Sequence, residues 1–550
     1  MKNRIPLLQP GLQVALLLLT TVALYAQSLS APFVFDDLDF FENREMLWKY
    51  GHTYFHFDRR WLPYSSLGWT VRGFGLDLFW LRLGNVLLHA ANAIALFFLL
   101  RRIFQATLAD TTNSTPPSLA WLAFSGALIF ALHPISVYGV AYLIERSILM
   151  ATLFVLLMLL FYLEGILPAP RPPEGRVSGG VPFTGGGGWR WMLAAALCYF
   201  AAVYSKEHSI TAPGVALAMT FLVRKPSAAL FKQIAPYFFL TALIAVTILL
   251  SVKGVLGELY EPRALVMLDR IGLSDLPNVH WLSILTQSAL FFKYLGLWLV
   301  PDPAWMSVDM RESFAVSLFS WPHTLGWIAF LAYPCVAVWL LLKQGRLGLL
   351  GFALLFPWIL FLTEWSVIRI QEPFVLYRSY LWMPGLFAAL PVLFYVLSPR
   401  KIFFLLAAFC LLLVPLTLNR MDTFSSPFLL WDDAEKLVHN KPDAYGVERI
   451  YNNRGNELLK LKRYNEAMID FNKAIALYPN FEIVYINRAT TFYFLGKYQE
   501  ALRDYDHAIA INPNNHQPYC RSALTYRALG DFAAAQQAFN KSCALGGLCQ

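Results

Sequence analysis

The chain is poor in charge. Asp, Glu, Lys and Arg make up 14% of its residues, against roughly 25% in an average soluble domain. With 57% hydrophobic residues and a mean hydropathy of +0.49, this excludes an ordinary soluble globule and identifies a polytopic membrane protein. The net charge of +9 does not indicate a nucleic-acid partner, because the basic residues form no binding stripe. They fall in short clusters between apolar runs, the positive-inside pattern. Cysteine is scarce as well, with six in the chain. Cys198, Cys335 and Cys410 lie in apolar runs and read as small buried side chains. Cys520, Cys543 and Cys549 lie in the polar tail. In an oxidising compartment two of the three can pair, with Cys543–Cys549 the closest in sequence and Cys520–Cys543 its competitor. Metal-ligand spacing is missing, so no cofactor is called for, although paired carboxylates can hold a divalent ion. An inverted repeat and a broken-helix pair are missing too, which argues against transport.

Apolar runs long enough to cross a bilayer stand near residues 12–29, 79–100, 119–140, 147–167, 190–205, 209–223 and 234–252. Others stand near 283–300, 324–342, 347–365, 381–398 and 402–419. The first follows Lys2 and Arg4 and reads as an uncleaved anchor, since it lacks a small-x-small end. Lys2/Arg4, Arg101/Arg102, Arg171/Arg176/Arg190, Arg224/Lys225/Lys232, Lys343/Arg346 and Arg400/Lys401 mark the cytoplasmic side. The run at 283–300 fits that rule only if it is re-entrant, interfacial or hides a second crossing. About eleven net crossings follow, with residues 30–78 and everything after 419 outside. Residues 168–189, rich in proline and glycine, read as a flexible linker.

The tail repeats with a period of 34: Tyr451, Tyr485 and Tyr519; Tyr464, Tyr498 and Phe532; Ala467, Ala501 and Ala535; Phe471, Tyr505 and Phe539. Pro479 and Pro513 close the first two units. Small residues where paired helices touch, aromatics between them and a closing proline form the tetratricopeptide pattern, which usually presents a protein-binding groove. The expected fold is all-α: a membrane helical domain over 1–420, a linker or first helix over 421–446, and three repeats over 447–550.

Acids and bases converge at the expected outer ends of the spans. Asp36 and Asp37 stand at the mouth of the first, where carboxylates near lipid usually mark a site rather than a helix cap. One of them can act as a general base, tuned by its neighbour; Asp39 reads as a spectator. Arg378 and Arg146 are candidate guanidinium forks for a phosphate, the first otherwise an interfacial anchor and the second otherwise an ion-pair partner. His133 can donate to a phosphate oxygen or serve as a helix-end residue. Glu145, Lys206, Glu207 and Glu372 form a supporting polar cluster, alongside His208, Glu364 and Arg369. His89, inside a span, reads as a structural hydrogen-bonding group.

Phe33-Val34-Phe35-Asp36-Asp37, Arg82-Leu83-Gly84-Asn85-Val86-Leu87-Leu88-His89, Ala131-Leu132-His133-Pro134, Ser205-Lys206-Glu207-His208-Ser209-Ile210-Thr211 and Tyr377-Arg378-Ser379-Tyr380-Leu381-Trp382-Met383-Pro384 follow one another along the chain. Their order, joined to the repeat tail, resembles the TMTC-type family, the transmembrane and tetratricopeptide-repeat O-mannosyltransferases of the GT-C superfamily. The resemblance implies a polyprenyl-phosphate-linked sugar donor and inverting transfer on the non-cytoplasmic face. It maps the catalytic acid onto Asp36 or Asp37 and a lipid-phosphate ligand onto Arg378. Two of its motifs differ here, where Tyr377-Arg378-Ser379-Tyr380 and Glu145-Arg146 stand. It further implies a bacterial relative with an undecaprenyl-type carrier, set in the inner membrane with catalytic loop and repeats on the periplasmic side. The expected partners are the lipid-linked donor, a protein acceptor held by the repeats, and the bilayer. The rival readings are a lipid-linked glycan polymerase or ligase, and a non-enzymatic membrane scaffold.

Overall fold

The computed structural model describes residues 9–55, 57–108, 117–167, 188–251, 259, 261, 264–273, 279–439, 441, 445–547 and 549. The linker read at 168–189 lies outside them, apart from its last two residues. Two compact units result: Met1–Met306 with Phe314–Ser425, and Ser307–Ser313 with Ser426–Gln550. Among the described residues the regular elements are all helical.

The longer helices of the first unit are α1 Pro10–Tyr25, α2 Trp61–Phe74, α3 Leu78–Leu108, α4 Pro117–Leu132, α5 Arg146–Ile166 and α6 Gly188–Ser205. They continue as α7 Ala212–Val223, α8 Ala228–Ser251, α9 Val279–Leu299, α10 His323–Leu342, α11 Gly345–Phe361 and α12 Pro399–Thr423. Eight helical segments among the described residues are long and apolar enough to cross a membrane, and the shorter Ser118–Leu132 is apolar too. The chain is thus a multi-pass membrane protein. Start signals follow the local chemistry. Ser398 accepts a hydrogen bond from Lys401 N, and Pro399 supplies the fixed first-turn geometry of α12.

Two apolar runs differ from the sequence reading. The run at 283–300, expected as re-entrant, interfacial or hiding a second crossing, lies in the uninterrupted 21-residue α9, long enough to span. The run at 381–398 is broken into the short helix Ser379–Trp382, the 3-10 stretch Met383–Ala389 and Leu390–Phe394. Pro384 and Pro391 each remove a backbone donor there, so hydropathy continues where the helix cannot. Helix α12 also runs to Thr423, past the expected boundary at 420.

Close packing fixes the segment before that break. Tyr294 stacks on Phe374 with ring centroids 4.0 Å apart, and Trp382 meets Tyr294 and Phe361 edge-on. Trp298 Nε1 donates to Ser379 Oγ at 2.9 Å, and Val375 N donates to Tyr294 OH at 2.8 Å. Residues 374–382 are therefore held rigidly over α9.

The second unit begins with α13 Pro427–Val438 and pairs α14 Val447–Lys460 with α15 Tyr464–Leu477. α16 Glu482–Phe494 pairs with α17 Tyr498–Ile511, and α18 His516–Ala528 with α19 Phe532–Ala544. Ala467 and Ala501 are fully buried at the register expected of helix contacts, beside Phe471 and Tyr505. Each hairpin turns through a left-handed residue at one register, Lys462, Gly496 and Gly530, and glycine takes that conformation without a Cβ penalty.

The tail disulfide joins Cys520 to Cys549, with Cα atoms 5.5 Å apart, and leaves Cys543 free and exposed. Both pairings read from the sequence are corrected. After α19 the chain turns at Gly546, in the left-handed region, and Gly547 and Cys549 lie beside the start of α18. Ser542 Oγ donates to the His516 carbonyl at 3.2 Å, and Cys549 Sγ lies 3.3 Å from Ser542 Oγ. Proximity in sequence between Cys543 and Cys549 is overridden by the outward face that Cys543 occupies on α19.

Candidate functional site

Asp36 and Asp37 open the short helix Asp36–Glu42, and their side chains differ in burial. Asp37 is wholly buried. Its Oδ1 accepts from Ile144 N at 2.9 Å and its Oδ2 from Val34 N at 3.2 Å. Burial pushes its pKa up to about 7, opposed by the Arg82 guanidinium and those backbone N–H groups. Asp36 is exposed, and its backbone N donates to Tyr142 OH at 3.4 Å. Phe35, immediately before it, takes φ +50°, a strained conformation for a bulky residue and one that clusters at functional sites. Arg82 anchors the loop from below, donating to the carbonyls of Ala31 and Ala141 at 2.7 Å and to that of Pro32.

From Tyr142 the polar groups continue inward. The Tyr142 ring meets Tyr377 edge-on at 6.0 Å, and Lys206 Nζ lies 5.3 Å from the Tyr377 ring centre. Lys206 follows α6 with extended backbone and donates to Glu145 Oε2 at 3.0 Å and Ser147 Oγ at 3.3 Å. Both members of that pair are buried. Glu207 next grips Arg60 through two contacts, at 3.0 and 2.5 Å. Burial alone would raise the Glu207 carboxyl, but the Arg60 guanidinium holds it well below the usual carboxylate range. Arg60 itself sits at φ +60° at the head of α2.

Glu364 is the hub beyond. Its Oε1 lies 3.0 Å from His208 Nε2, and its Oε2 lies 3.3 Å from Arg369 Nε and 3.2 Å from Arg378 Nη1. All four side chains are buried. Burial would lower the Arg378 pKa, but the Glu364 carboxylate raises it above its usual value, whereas burial and neighbouring Arg378 push Arg369 well below its own. Glu261 secures the loop that presents Arg369, accepting from Ile370 N at 2.9 Å and Gln371 N at 2.5 Å.

A cavity of about 240 Å³ opens beside this hub. Arg59, Arg60, Glu207, His208, Thr211 and Arg369 line it together with the apolar Ile248, Leu249, Leu362 and Val367. Two buried polar atoms of its lining residues, His208 Nδ1 and Thr211 Oγ1, have no hydrogen-bond partner among the described residues. Such groups are costly unless a ligand or water meets them. A cavity lined by both charged and apolar side chains suits an amphiphile carrying an anion.

Several expected site residues lie elsewhere. Arg146 is a correction: its donors are taken by Asn85 Oδ1 at 2.8 Å, the Leu81 carbonyl at 2.5 Å, and Ser66 and Thr70 hydroxyls at 3.4 Å. Gly84 leaves it room, because a Cβ there would stand 2.7 Å from Nη2. The guanidinium closes helix packing and has none of its donors turned to the cavity. His133 is a second correction. It is buried and stacks on Trp298 at 4.2 Å; its Nε2 meets the Trp298 carbonyl and its Nδ1 accepts from Ile135 N. Neither nitrogen is left for a phosphate. Arg378 stands behind Arg369 on Glu364 and does not line the cavity, and Glu372 meets Arg378 through its backbone carbonyl at 3.4 Å. Arg60 is the residue the sequence reading passed over. Arg59 and Arg60 are basic residues on a loop the charge rule places outside, and that exception was the available signal. Among the described residues no group of three or more His, Cys, Asp or Glu is placed to hold a metal ion.

Comparison with known proteins finds the tetratricopeptide repeat at residues 448–481 and 483–515, and again by a second tetratricopeptide repeat family at 504–537. Protein O-mannosyl-transferase TMTC2 of Mus musculus is 27% identical over 312 residues, covering 52% of this chain and 34% of that protein. The Homo sapiens TMTC2 is 28% identical over the same span and coverage. The match thus spans about a third of the length of these curated relatives. Among solved structures, ArnT from Cupriavidus metallidurans bound to undecaprenyl phosphate is 16% identical, with 92% of this chain and 80% of that one covered at a TM-score of 0.37. The resemblance to the TMTC-type family carried by the motifs therefore recurs in the curated relatives, and the tail is a tetratricopeptide-repeat array.

Proposed function

We propose that the chain is an integral-membrane inverting glycosyltransferase that moves a sugar from a polyprenyl-phosphate donor to a hydroxyl of a protein acceptor. The observation that carries the reading is the mixed cavity, lined by Arg60 and Arg369, by His208 and Thr211 with their two unmet polar atoms, and by apolar side chains. The lipid phosphate sits against Arg369 and Arg60, and the prenyl chain leaves along Ile248, Leu249 and Leu362. Asp36 takes the proton from the acceptor hydroxyl as that oxygen attacks the anomeric carbon. The bond from that carbon to the phosphate oxygen breaks, and its electron pair stays on the phosphate. Arg369 and Arg60 stabilise the charge that develops there. Arg378 acts at one remove: it shares Glu364 with Arg369 and His208 and so sets their positions. Asp37 shapes the loop that presents Asp36.

The TMTC2 relatives support protein as the acceptor class, and the repeats supply a surface on which a protein can be held. The carrier is of the undecaprenyl type, and the enzyme sits in a bacterial inner membrane with catalytic loop and repeats facing the periplasm. A reporter active only in the periplasm and fused after Gln550 is expected to be active; activity of a cytoplasm-only reporter there overturns the assigned face. The chemistry is tested in nanodiscs with purified polyprenyl-phosphate sugar and candidate acceptor proteins. Arg369→Ala is expected to weaken donor binding and lower turnover together. Unchanged donor affinity in that variant removes the cavity from the mechanism.

A further inference from the structure

A second cavity, largely apolar but holding three charged side chains, lies far from the first. Its volume is about 390 Å³, and Phe98, Arg101, Arg102, Phe161, Glu164 and Trp191 line it. These residues come from the last turns of α3 and α5 and the first turn of α6. Arg146 and Lys206, beside the candidate active site, mark the opposite ends of α5 and α6. Glu164 is eighteen residues along α5 from Arg146, which at 1.5 Å per residue separates the two sites by about 27 Å. The hydrocarbon core of a bilayer is about 30 Å thick, so the second cavity lies at the other membrane surface.

Its charges are arranged unequally. Arg102 is locked by Glu164, its Nε on Oε1 at 2.5 Å and its Nη2 on Oε2 at 2.9 Å. Arg101, half-buried on the same turn, has no acceptor among the described residues. The walls are aromatic, with Phe98 and Trp191 part-exposed and Trp191 packed on Phe161 at 5.6 Å. Arg190 adds a further positive charge beside Trp191. A cation awaiting an oxyanion, a second guanidinium fixed in place and an aromatic rim at the interface are the complement of one ligand class.

We infer that this groove binds the headgroup of an anionic phospholipid of the leaflet opposite the candidate active site. The Arg101 guanidinium takes the phosphodiester, and Phe98, Phe161 and Trp191 pack on the glycerol and first acyl carbons. The Arg102–Glu164 pair holds α3 against α5 so that the groove keeps its width. The site is independent of the proposed transfer reaction and stands or falls without it.

The test is native mass spectrometry of the full chain released from nanodiscs of mixed phosphatidylglycerol and phosphatidylcholine. The wild type is expected to retain one phosphatidylglycerol in preference to phosphatidylcholine. Arg101→Ala is expected to weaken that retention roughly tenfold, the effect of losing one charge-assisted contact, and Arg101→Lys to restore part of it. Arg101→Gln, isosteric in its stem, serves if the alanine variant does not fold. Equal retention of the two lipids, or an unchanged preference in Arg101→Ala and Arg101→Gln, overturns the inference. Saturation of the site by glycerol 3-phosphate alone, without acyl chains, also overturns it in favour of a soluble phosphate ligand.

Discussion

In the repeats, Arg454 grips Asp470 through two contacts at 2.8 Å, and one period later Arg488 grips Asp504 at 2.7 and 2.8 Å. In the membrane-embedded unit a single carboxylate, Glu364, stands within 3.3 Å of an imidazole and two guanidiniums. The first arrangement recurs with the fold, is partly open to water and leaves no base short of acid, since Arg454 also meets Asp432 at 3.2 Å and Glu435 at 2.9 Å. The second is buried and gathers an imidazole and two guanidiniums about one carboxylate. Repetition with every base paired is what a structural scaffold needs. A buried cluster of several charged groups is a usual mark of a functional site, and this one borders the cavity that carries the functional proposal.

Removing the shared acid is the severest way to probe this contrast. Glu364→Gln leaves Arg369 and Arg378 buried with less compensation, and loss of one partner of a buried ion pair costs about 3–5 kcal/mol. Thermal unfolding of the full chain is expected to show a large drop, with transfer activity lost as well. Destabilisation no larger than a surface change would mean that the hub is as dispensable as an exposed pair.

Asp37 gives the next effect, through pH. Its folded pKa, raised to about 7, lies above the ordinary carboxylate value, so between about pH 4 and 7 the folded chain holds a proton the unfolded chain has released. Stability is therefore fullest at the acidic end of that window and falls as pH rises towards 7. Asp37→Asn is expected to flatten this slope. An unchanged slope in the variant would show that Asp37 is ionised throughout.

The smallest effect belongs to the repeats. Arg488→Ala removes a part-exposed pair and is expected to lower stability by about 1 kcal/mol, without changing turnover on an acceptor that does not use the repeats. A turnover loss on such an acceptor would erase the distinction between scaffold and site.

The ease with which each region could be read follows the same division. The repeats were legible because one register recurs: Tyr451, Tyr485 and Tyr519 identify the period without any long-range knowledge. Apolar runs likewise disclosed most spanning helices. What hydropathy does not encode is where a run breaks. Pro384 and Pro391 divide 381–398, while 283–300 continues as an unbroken helix. At the site, the motif stretches carry Asp36, Lys206, Glu207 and Arg378. Arg60 joins them only through a fold contact with Glu207, 147 residues away. Arg146 and His133 carry chemistry suited to phosphate, but their partners Asn85, Leu81 and Trp298 come from other helices, and no local pattern reveals them. Asp36 and Asp37 are adjacent in sequence and opposite in burial, a difference set by which carboxylate reaches Ile144 N.

The most direct measurement of the central claim is transfer by Asp36→Asn in nanodiscs, with donor binding measured on the same preparation. Asp36 is exposed and Asp37 retains its buried hydrogen bonds, so the variant is expected to fold and to bind polyprenyl-phosphate sugar as the wild type does. Its turnover is expected to fall by about a hundredfold or more, in line with loss of a general base. Wild-type turnover in Asp36→Asn would contradict the mechanism.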